Sequence, residues 1–318
     1  MAEEYIPGGL ASMPRLFRLA SLTRTPLNGS GYRMAASLYH DLAAPCVSWV
    51  VRQPDTRLKE GVLVSPRYVP QAICDDGRLR IGRLVLMERP IRTENLFRTV
   101  PLSWVANRGL LIRASRLFEQ LDLRYQELVN GVLWNAEIFH GFCTGPSSLI
   151  GHHAERNGNL RHTVEVAEAV MNLLPQHPAA DPQISLAAAL LHDVGKALEY
   201  EPMRTGWQFA DAGRINGHKQ LIGDWIAVAA HRMRLALPRE HYASLRHAIG
   251  AASDVSFESG YREPITPEAR LLSIADRSSG TGDLIARQAP KEGNCGRPHP
   301  HLGGKAPYTV HRTPIGPP

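Results

Sequence analysis

Long apolar runs are missing from this sequence of 318 residues. No stretch approaches the roughly eighteen consecutive apolar residues that a membrane-spanning helix needs. Residues 1–4 lack the basic and apolar parts of a secretory signal. We therefore expect a cytoplasmic protein that has no membrane partner.

Cysteine is scarce, and the four cysteines have no paired spacing. Disulfide frameworks and thiolate zinc sites both need such pairs, so Cys46, Cys74, Cys143 and Cys295 are expected to stay reduced. The sequence also has no Walker loop, no dinucleotide fingerprint and no arrangement typical of a nucleophilic Ser or Cys triad. Hydrolysis through a covalent enzyme intermediate therefore has no support in the sequence.

Acidic residues are sparse in the first third of the chain, where the whole net charge of +6 resides. Residues 1–110 contain fifteen Lys and Arg against nine Asp and Glu, whereas residues 111–318 contain twenty-one of each. Nearly all of the excess is Arg, whose planar guanidinium binds phosphate through two hydrogen bonds and stacks on bases. This indicates a nucleic-acid partner, although a GC-rich genome produces the same composition without one.

Short segments separated by turn residues fill the N-terminal third. Residues 1–14 show no periodicity and are expected to form a flexible leader. Asn-Gly-Ser-Gly at 28–31 and Asp-Asp-Gly at 75–77 are typical of hairpin turns. The pattern predicts about five strands, at 16–25, 32–39, 46–51, 68–74 and 78–87. A barrel of this size in residues 15–92 indicates an OB-fold, which binds single-stranded nucleic acid on one open face.

Aromatic and basic side chains of the expected barrel are candidates for contact with a strand. Bases stack on aromatic rings, and the phosphate backbone follows cationic side chains. The alternative is that half of these aromatic residues fill the barrel core. The candidates are Tyr32, Arg33, Tyr39, Trp49, Arg52, Tyr68, Arg78 and Arg80.

Apolar residues at helical spacing begin at about residue 95. Residues 93–140 are expected to be connecting helices, with Gly109 and Gly131 at helix boundaries, that support the following domain rather than touch substrate. After residue 287 the chain turns to Pro, Gly and His without periodicity. Residues 288–318 are therefore expected to be a disordered tail.

Histidine and aspartate recur on or beside the predicted helices between residues 151 and 276. The centre is His192-Asp193-Val194-Gly195-Lys196 at the end of an apolar run, where an imidazole and a carboxylate are costly to bury unless a cation lies there. Neutral imidazole together with carboxylate suits Zn, Mn, Fe or Co. The expected ligands of a divalent metal are His162, His192, Asp193, His218, His247 and Asp276.

This order of residues resembles the HD-domain metal-dependent phosphohydrolases. His152-His153, Arg161-His162-Thr163, Gly217-His218, and Thr266-Pro267 before Asp276 follow one another as in the YhaM-like 3′-5′ exoribonucleases, which couple an N-terminal OB-fold to a C-terminal HD domain. The resemblance implies a multidomain fold. A small all-β OB-fold barrel is followed by an all-α HD domain at residues 141–287.

The resemblance also implies an activity and a role for each motif. Two divalent ions are expected, Mn²⁺ or Co²⁺ first, with Mg²⁺, Fe²⁺ or Zn²⁺ as alternatives, and Asp193 would lie between them. Asp193 and Lys196 are expected to act in catalysis, with a surface salt bridge as the alternative for Lys196. His152, His153, Arg161 and Arg246 are expected to bind substrate, with hydrogen bonds that support the metal ligands as the alternative for His152 and His153. The predicted reaction is 3′-5′ exonucleolytic hydrolysis of single-stranded RNA, with DNA as an alternative substrate and a homo-oligomer as an open option.

Three positions depart from the family pattern and keep other activities open. The chain has Gly158-Asn159 where the family has two glycines, Arg246-His247 where it has two histidines, and Arg277-Ser278-Ser279 where it has a second acidic residue. The last two weaken the expectation of a second ion. The alternatives are an HD-type nucleotide phosphohydrolase or cyclic-nucleotide phosphodiesterase, and a relaxase-like DNA-processing protein of a mobile element.

Overall fold

The structure is a computed structural model that describes residues 13–73, 77–251 and 260–310, apart from the side chains of residues 70–73. Its N-terminal part is a β-barrel, and its strands lie close to the predicted ones, except that the fourth begins five residues earlier. The strands are β1 (Phe17–Pro26), β2 (Tyr32–Tyr39), β3 (Cys46–Val51), β4 (Leu63–Ile73) and β5 (Leu79–Leu86). Residues 1–12 of the expected leader and most of the turn expected at 75–77 lie outside the described residues.

The five strands close into one barrel in the order β1-β2-β3-β5-β4, and β1 pairs with β4 to complete it. Neighbouring strands are antiparallel except β3 and β5, which are parallel. A register shift between Leu19 and Ser21 bends β1, so that this strand can pair on both sides. A closed five-stranded barrel of this kind is the OB-fold architecture. The predicted all-β first domain is therefore confirmed.

Side chains on these strands alternate between the barrel interior and the outer surface. Met34, Trp49 and Ile81 are buried in the barrel core, and Tyr68 packs against it. Tyr39 is half-buried, with the guanidinium of Arg108 over its ring. Trp49, Tyr68 and Tyr39 therefore contribute to packing and not to the stacking surface that the sequence predicts, because apolar area is worth more in the core than on an exposed face.

Ten α-helices follow within the described residues. They are α1 (Arg108–Glu119), α2 (Leu123–Leu133), α3 (Ala136–Thr144), α4 (Gly158–Leu173), α5 (Pro182–Leu191), α6 (Lys196–Glu199), α7 (Asp211–Ile215), α8 (His218–Met233), α9 (Arg239–Gly250) and α10 (Pro267–Gln288). A short hairpin of β6 (Tyr200–Pro202) and β7 (Trp207–Phe209) separates α6 from α7. Of the helices in the described ranges, none has the length and apolarity to cross a membrane.

Polar caps fix where several helices begin. The side chains of Asn107, Asp122 and Asn135 accept backbone N–H groups at the starts of α1, α2 and α3. Thr266 does the same for α10, where Pro267 occupies the first helical position as the sequence indicates. These caps supply partners for N–H groups that no helical carbonyl can reach.

Gly131 lies inside α2, which corrects the expected helix boundary. A side chain at Gly131 would approach the Cβ of Ala229 in α8 to 2.9 Å, so glycine lets the two helices cross closely. Gly109, by contrast, is the second residue of α1 and lies at the expected boundary. An isolated glycine in a helical pattern therefore marks a close helix contact at Gly131 and the start of a helix at Gly109.

The barrel and the helices meet at a junction built around Arg18 of β1. Its wholly buried guanidinium lies over the rings of Trp104 and Phe139 and donates to the Gly61 carbonyl and the Thr99 hydroxyl. Burial lowers the pKa of Arg18 to about 9. The described residues provide aromatic faces and neutral oxygens around this cation, so its position depends on both domains.

Residues 289–310 fold against the end of α10, although the sequence predicts a disordered tail. The Arg297 N–H donates to the Gln288 carbonyl at 3.0 Å, and the Gly296 N–H donates to the Pro307 carbonyl at 2.8 Å. Backbone hydrogen bonds of this kind require no apolar periodicity, so no sequence pattern indicated them. The remaining residues of the expected tail, 311–318, lie outside the described residues.

Candidate metal centre

Four helices of the second domain bring most of the predicted ligands together. His162 lies on α4, His218 begins α8 and Asp276 lies on α10. His192 and Asp193 directly follow α5, a helix whose residues from Ile184 to Leu191 are all buried. A helix that is apolar all round belongs in the core, so the end of α5 delivers an imidazole and a carboxylate into the interior.

The converging atoms are imidazole Nε2 atoms and carboxylate oxygens. His162 Nε2 lies 3.0 Å from Asp276 Oδ1 and 3.4 Å from both Asp193 Oδ2 and His192 Nε2. His218 Nε2 lies 3.6 Å from Asp193 Oδ1. His162, His192 and Asp193 are buried, whereas His218 and Asp276 are partly exposed. Five of the six predicted ligands therefore form one cluster that solvent reaches from one side.

The other nitrogen of two buried rings is already engaged. His192 Nδ1 donates to the Ala189 carbonyl at 2.8 Å. His162 Nδ1 lies 3.1 Å from Ser279 Oγ, whose hydroxyl donates to Glu165 at 2.8 Å, so Ser279 accepts a hydrogen bond from the ring. A neutral imidazole carries one hydrogen, so the Nε2 atom of each ring presents a lone pair to the cluster.

His218 is oriented in the same way from the other side of the cluster. Its Nδ1 donates to the Glu199 carboxylate at 3.0 Å, which leaves Nε2 directed at Asp193. A carboxylate or carbonyl behind a histidine is the usual support of a metal ligand, because it fixes both the ring orientation and the tautomer. In all three imidazoles, therefore, a hydrogen bond at Nδ1 leaves Nε2 directed at the cluster.

The donor set fits a divalent cation. Two Nε2 lone pairs that face each other across 3.4 Å, between His162 and His192, repel one another unless a cation lies between them. Neutral imidazole and ionised carboxylate are also the ligand types that Mn, Fe, Co and Zn accept. The residues that would hold one such ion are His162, His192, Asp193 and Asp276.

Asp193 is the centre of the charged groups in the cluster. Lys196 Nζ donates to its Oδ2 at 2.6 Å and also to Ser147 Oγ at 3.2 Å. Burial opposes ionisation, but the charges of Lys196 and of the surrounding histidines hold the pKa of Asp193 well below its ordinary value. The Asn159 amide donates to the backbone carbonyl of Asp193 at 3.1 Å and fixes the main chain there.

Two further members of the cluster have shifted pKa values. Burial acts to raise the pKa of Asp276, but the contacts with the neighbouring histidines, His162 first, outweigh it and bring the pKa to about 2. Burial lowers the pKa of His192. At neutral pH the cluster therefore contains ionised carboxylates and a neutral His192.

His152, which the sequence assigns to substrate binding, joins the cluster. Its ring centroid lies 4.8 Å from that of His162, and it can share a metal with His162 and Asp276. Its Nε2 is buried and has no hydrogen-bond partner. Burial lowers the pKa of His152 to about 4, so the ring is neutral. Gly280 leaves room for this ring, since a side chain there would approach His152 Nδ1 to 3.0 Å.

His153 lies behind His152 and supports the cluster. It is 2% exposed, with Nε2 at 3.2 Å from Glu165 and 3.3 Å from Ser279 Oγ. Its backbone, at a left-handed φ of 45°, donates to Asp283 at 2.9 Å. A side chain with so little exposure does not reach a substrate. Of the two roles expected for His153, the structure therefore favours support of the ligands over substrate contact: His153 orients His162 through the shared Ser279 and Glu165.

Two predicted site residues lie apart from the cluster. His247 Nε2 accepts the backbone N–H of Ile265 at 3.1 Å, in the segment that leads into α10. Arg161 forms an ion pair with Glu155 at 3.0 Å on the outer side of α4. Consecutive residues of a helix point about 100° apart, so Arg161 faces away where His162 faces inward. Neither residue supports the expected role.

Arg246 and the barrel candidates occupy other surfaces. Arg246 donates to the Gly223 carbonyl at 2.7 Å and lines a cavity between α8 and α9. Arg33 and Arg80 are exposed and flank β3, since Arg33 is paired with Val50 and Arg80 with Ser48. Arg78 is also exposed, and Tyr32 is 36% exposed at the start of β2.

Close backbone contacts explain two glycines of the motifs. A side chain at Gly195 would lie 2.1 Å from the carbonyl oxygen of His218, and one at Gly158 would lie 2.0 Å from that of His153. The left-handed position falls on Asn157, at φ 65°, so Asn159 needs no unusual backbone. The Gly158-Asn159 departure therefore preserves the turn and adds an amide that holds Asp193.

Sequence reasoning missed the residues that support the ligands. Ser279 and His162 are 117 positions apart, and no local pattern links them. Two weak signals existed. Ser279 follows Asp276 by three positions on one helix, and Glu199 follows Lys196 by three, so each pair shares a face. Ser147 lies in a loop and carried no signal at all.

The second domain is a set of helices that bring histidines and aspartates together at one candidate metal site, and it follows an OB-fold barrel. Residues 159–281 match the family model of the HD domain, whose members are metal-dependent phosphohydrolases. The match covers less than half of the chain and includes the five clustered ligands predicted from the sequence. No solved structure matches the chain. The helical domain is thus an HD domain.

Proposed function

We propose that this protein hydrolyses phosphodiester bonds of single-stranded nucleic acid, removing nucleotides from the 3′ end and preferring RNA. The convergence of three Nε2 atoms and two ionised carboxylates carries the proposal. The basic barrel supports a strand as substrate. The RNA preference and the 3′-5′ direction rest on the resemblance of the motifs to YhaM-like exoribonucleases.

The metal would be held by His162, His192, Asp193 and Asp276, with His152 beside them. When bound, a divalent ion such as Mn²⁺ or Co²⁺ supplies charge that lowers the pKa of a water and neutralises the phosphoryl oxygens. A second ion would have to rely on His218 and Asp193, because His247 is engaged with the backbone of Ile265. One ion is therefore better supported than two.

The chain's own groups position the reactants. Hydrolysis forms a bond from a water oxygen to phosphorus and breaks the bond from phosphorus to O3′; one proton leaves the water and one is taken up by O3′. Burial favours the protonated form of Asp193, but Lys196 and the histidines outweigh this effect and hold its pKa low, so Asp193 is a weak proton acceptor. Its expected role is to bind the metal cation and Lys196. Lys196, fixed by Asp193 and Ser147, adds a positive charge where the phosphate approaches.

The barrel would act through phosphates more than through bases. Arg33 and Arg80 are exposed on either side of β3, whereas Trp49 and Tyr68 belong to the core. Cationic grooves with few aromatic rings bind strands with little sequence preference. Such binding suits an enzyme that shortens strands of any sequence.

The direct test is degradation of a 5′-labelled single-stranded RNA with Mn²⁺, compared with DNA of the same sequence. A ladder of labelled strands that shorten step by step, with release of mononucleotides and inhibition by EDTA, is the expected result. Internal cuts without mononucleotide release would contradict the 3′-5′ exonuclease. A single nick in supercoiled DNA would instead indicate the relaxase-like alternative.

One observation favours a second candidate, hydrolysis of free or cyclic nucleotides. The loss of Trp49 and Tyr68 from the expected stacking surface removes part of the support for strand binding. The same assay with nucleoside triphosphates and cyclic nucleotides separates the two functions. Turnover of these compounds without degradation of strands would establish the second one.

A further inference from the structure

A cavity of about 370 Å³ lies between α8 and α9 and has no role in the metal cluster. The described part of its wall includes Lys219, Gly223, Asp224, Arg246 and Arg262. Gly223 makes room for one of these cations, because a side chain there would lie 3.3 Å from Arg246 Nη2. The wall is therefore shaped around basic side chains.

Two cations of this wall, Lys219 and Arg246, are held by neutral groups. Lys219 is half-buried and donates to the Ala251 carbonyl, and Arg246 donates to the Gly223 carbonyl at 2.7 Å. Neither forms an ion pair with any carboxylate of the described residues. Carbonyls satisfy hydrogen bonds without neutralising a positive charge, and the carboxylates of Asp193 and Asp276 act on Lys219 without forming an ion pair, so an anion in the cavity is favourable. Asp224 is the one acid on the described wall.

The cavity adjoins the metal cluster. Lys219 directly follows His218 on α8, and the carboxylates of Asp193 and Asp276 are near enough to act on its charge. His247, adjacent to Arg246, also lines the cavity. Consecutive residues of a helix point about 100° apart, so an anion bound between Lys219 and Arg246 would lie on the face of α8 next to the one that His218 presents to the cluster.

We propose that Lys219 and Arg246 form a subsite for the phosphate next to the one that is hydrolysed. The subsite selects substrates with consecutive phosphates over esters that have a single phosphate. This inference rests on the proposed function. A nucleic-acid strand and a nucleoside triphosphate share the required chemistry, and the exposed arginines of the barrel favour the strand.

The kinetic test compares a trinucleotide, ATP and bis(4-nitrophenyl) phosphate, each with Mn²⁺. In Lys219→Gln and Arg246→Gln, the ratio of kcat/KM for the trinucleotide to kcat/KM for the single-phosphate ester should fall at least about tenfold through KM, because each variant removes one charged hydrogen bond. Arg239→Gln, an exposed arginine of the same helix as Arg246, is the matched control. Equal losses on both diesters would overturn the subsite, and a fall confined to ATP would overturn the assignment to a strand.

A binding test keeps the subsite separate from the reaction. Calorimetric titration of the full-length protein with inorganic pyrophosphate in EDTA should show binding that Lys219→Gln and Arg246→Gln each weaken at least about tenfold. Asp224→Asn should strengthen it, an outcome that general damage to the fold does not produce. No binding by the wild type, or equal binding by all variants, would overturn the proposal. Binding with this pattern in a protein that degrades no strand would preserve the subsite and remove the proposed function.

Discussion

The metal cluster and the outer face of the barrel place their charges in opposite ways. In the cluster the charges are buried and paired, as in Asp193 and Lys196, whose side-chain atoms lie 2.6 Å apart among buried histidines. In the barrel Arg33 and Arg80 are exposed to solvent. Buried charges interact strongly and are costly to leave without partners, whereas exposed charges are screened by water and salt. A few substitutions should therefore abolish the chemistry, while binding should weaken in small steps.

The largest expected effect concerns Asp193. Asp193→Asn keeps the shape of the side chain but removes the charge that faces His162, His218 and Lys196. We expect hydrolysis of bis(4-nitrophenyl) phosphate with Mn²⁺ to fall by at least about a thousandfold. Metal content of the purified variant, measured by mass spectrometry, should fall as well. Activity within a few-fold of the wild type would show that the cluster is not the reaction centre.

The next effect concerns the junction, where the two domains are not separable. Arg18→Ala removes a wholly buried side chain that contacts Trp104, Phe139 and Thr99. We expect the free energy of unfolding to fall by about 3 kcal/mol because packing and two hydrogen bonds are lost together. Urea denaturation followed by tryptophan fluorescence measures it.

Arg33→Ala is the matched control for the junction, since Arg33 is an exposed arginine of the same barrel. Its effect on stability should stay within about 0.5 kcal/mol. Two separate transitions in the wild type, with Arg18→Ala changing only one of them, would mean that the barrel folds independently of the HD domain.

A smaller effect distinguishes two roles for His152. If this residue binds the metal, His152→Ala should weaken Mn²⁺ affinity by about 10- to 100-fold, in the range of groups that tune a metal site. Equilibrium dialysis of metal measures this directly, and His231→Ala, an exposed histidine of α8, is the control. Unchanged affinity together with a raised KM would return His152 to the substrate-binding role that the sequence indicates.

The sequence was most informative where short patterns determine the structure. Short segments between turn residues located the five strands, because Gly-rich and Asp-rich turns interrupt the chain where one strand gives way to the next. His-Asp after an apolar helix located the centre, because such groups are rarely buried without a cation. These features depend on neighbours in the chain, so the chain alone reveals them.

The sequence was least informative where distant residues decide the outcome. Trp49 and Tyr68 are residue types that stack on bases, yet the strand register directs their side chains to the barrel core. His247 follows the family pattern in spacing, but its ring is held by the backbone of Ile265. Ser279 and Glu165 came together only through the packing of α4 and α10. Register and helix packing are global properties, and no local motif reports them.

The smallest effect tests the barrel. Each phosphate contact of a single strand contributes about 0.7 to the slope of log affinity against log salt concentration. If Arg33 and Arg80 each contact one phosphate, the double variant Arg33→Gln and Arg80→Gln should lower this slope by about 1.4. Anisotropy of a fluorescent strand measures it, in an Asp193→Asn background that prevents degradation. Arg239→Gln should leave the slope unaltered. An unchanged slope in the double variant would show that the strand binds to a surface other than the one with Arg33 and Arg80. The exposed binding face that contrasts with the buried centre would then have to be sought elsewhere on the protein.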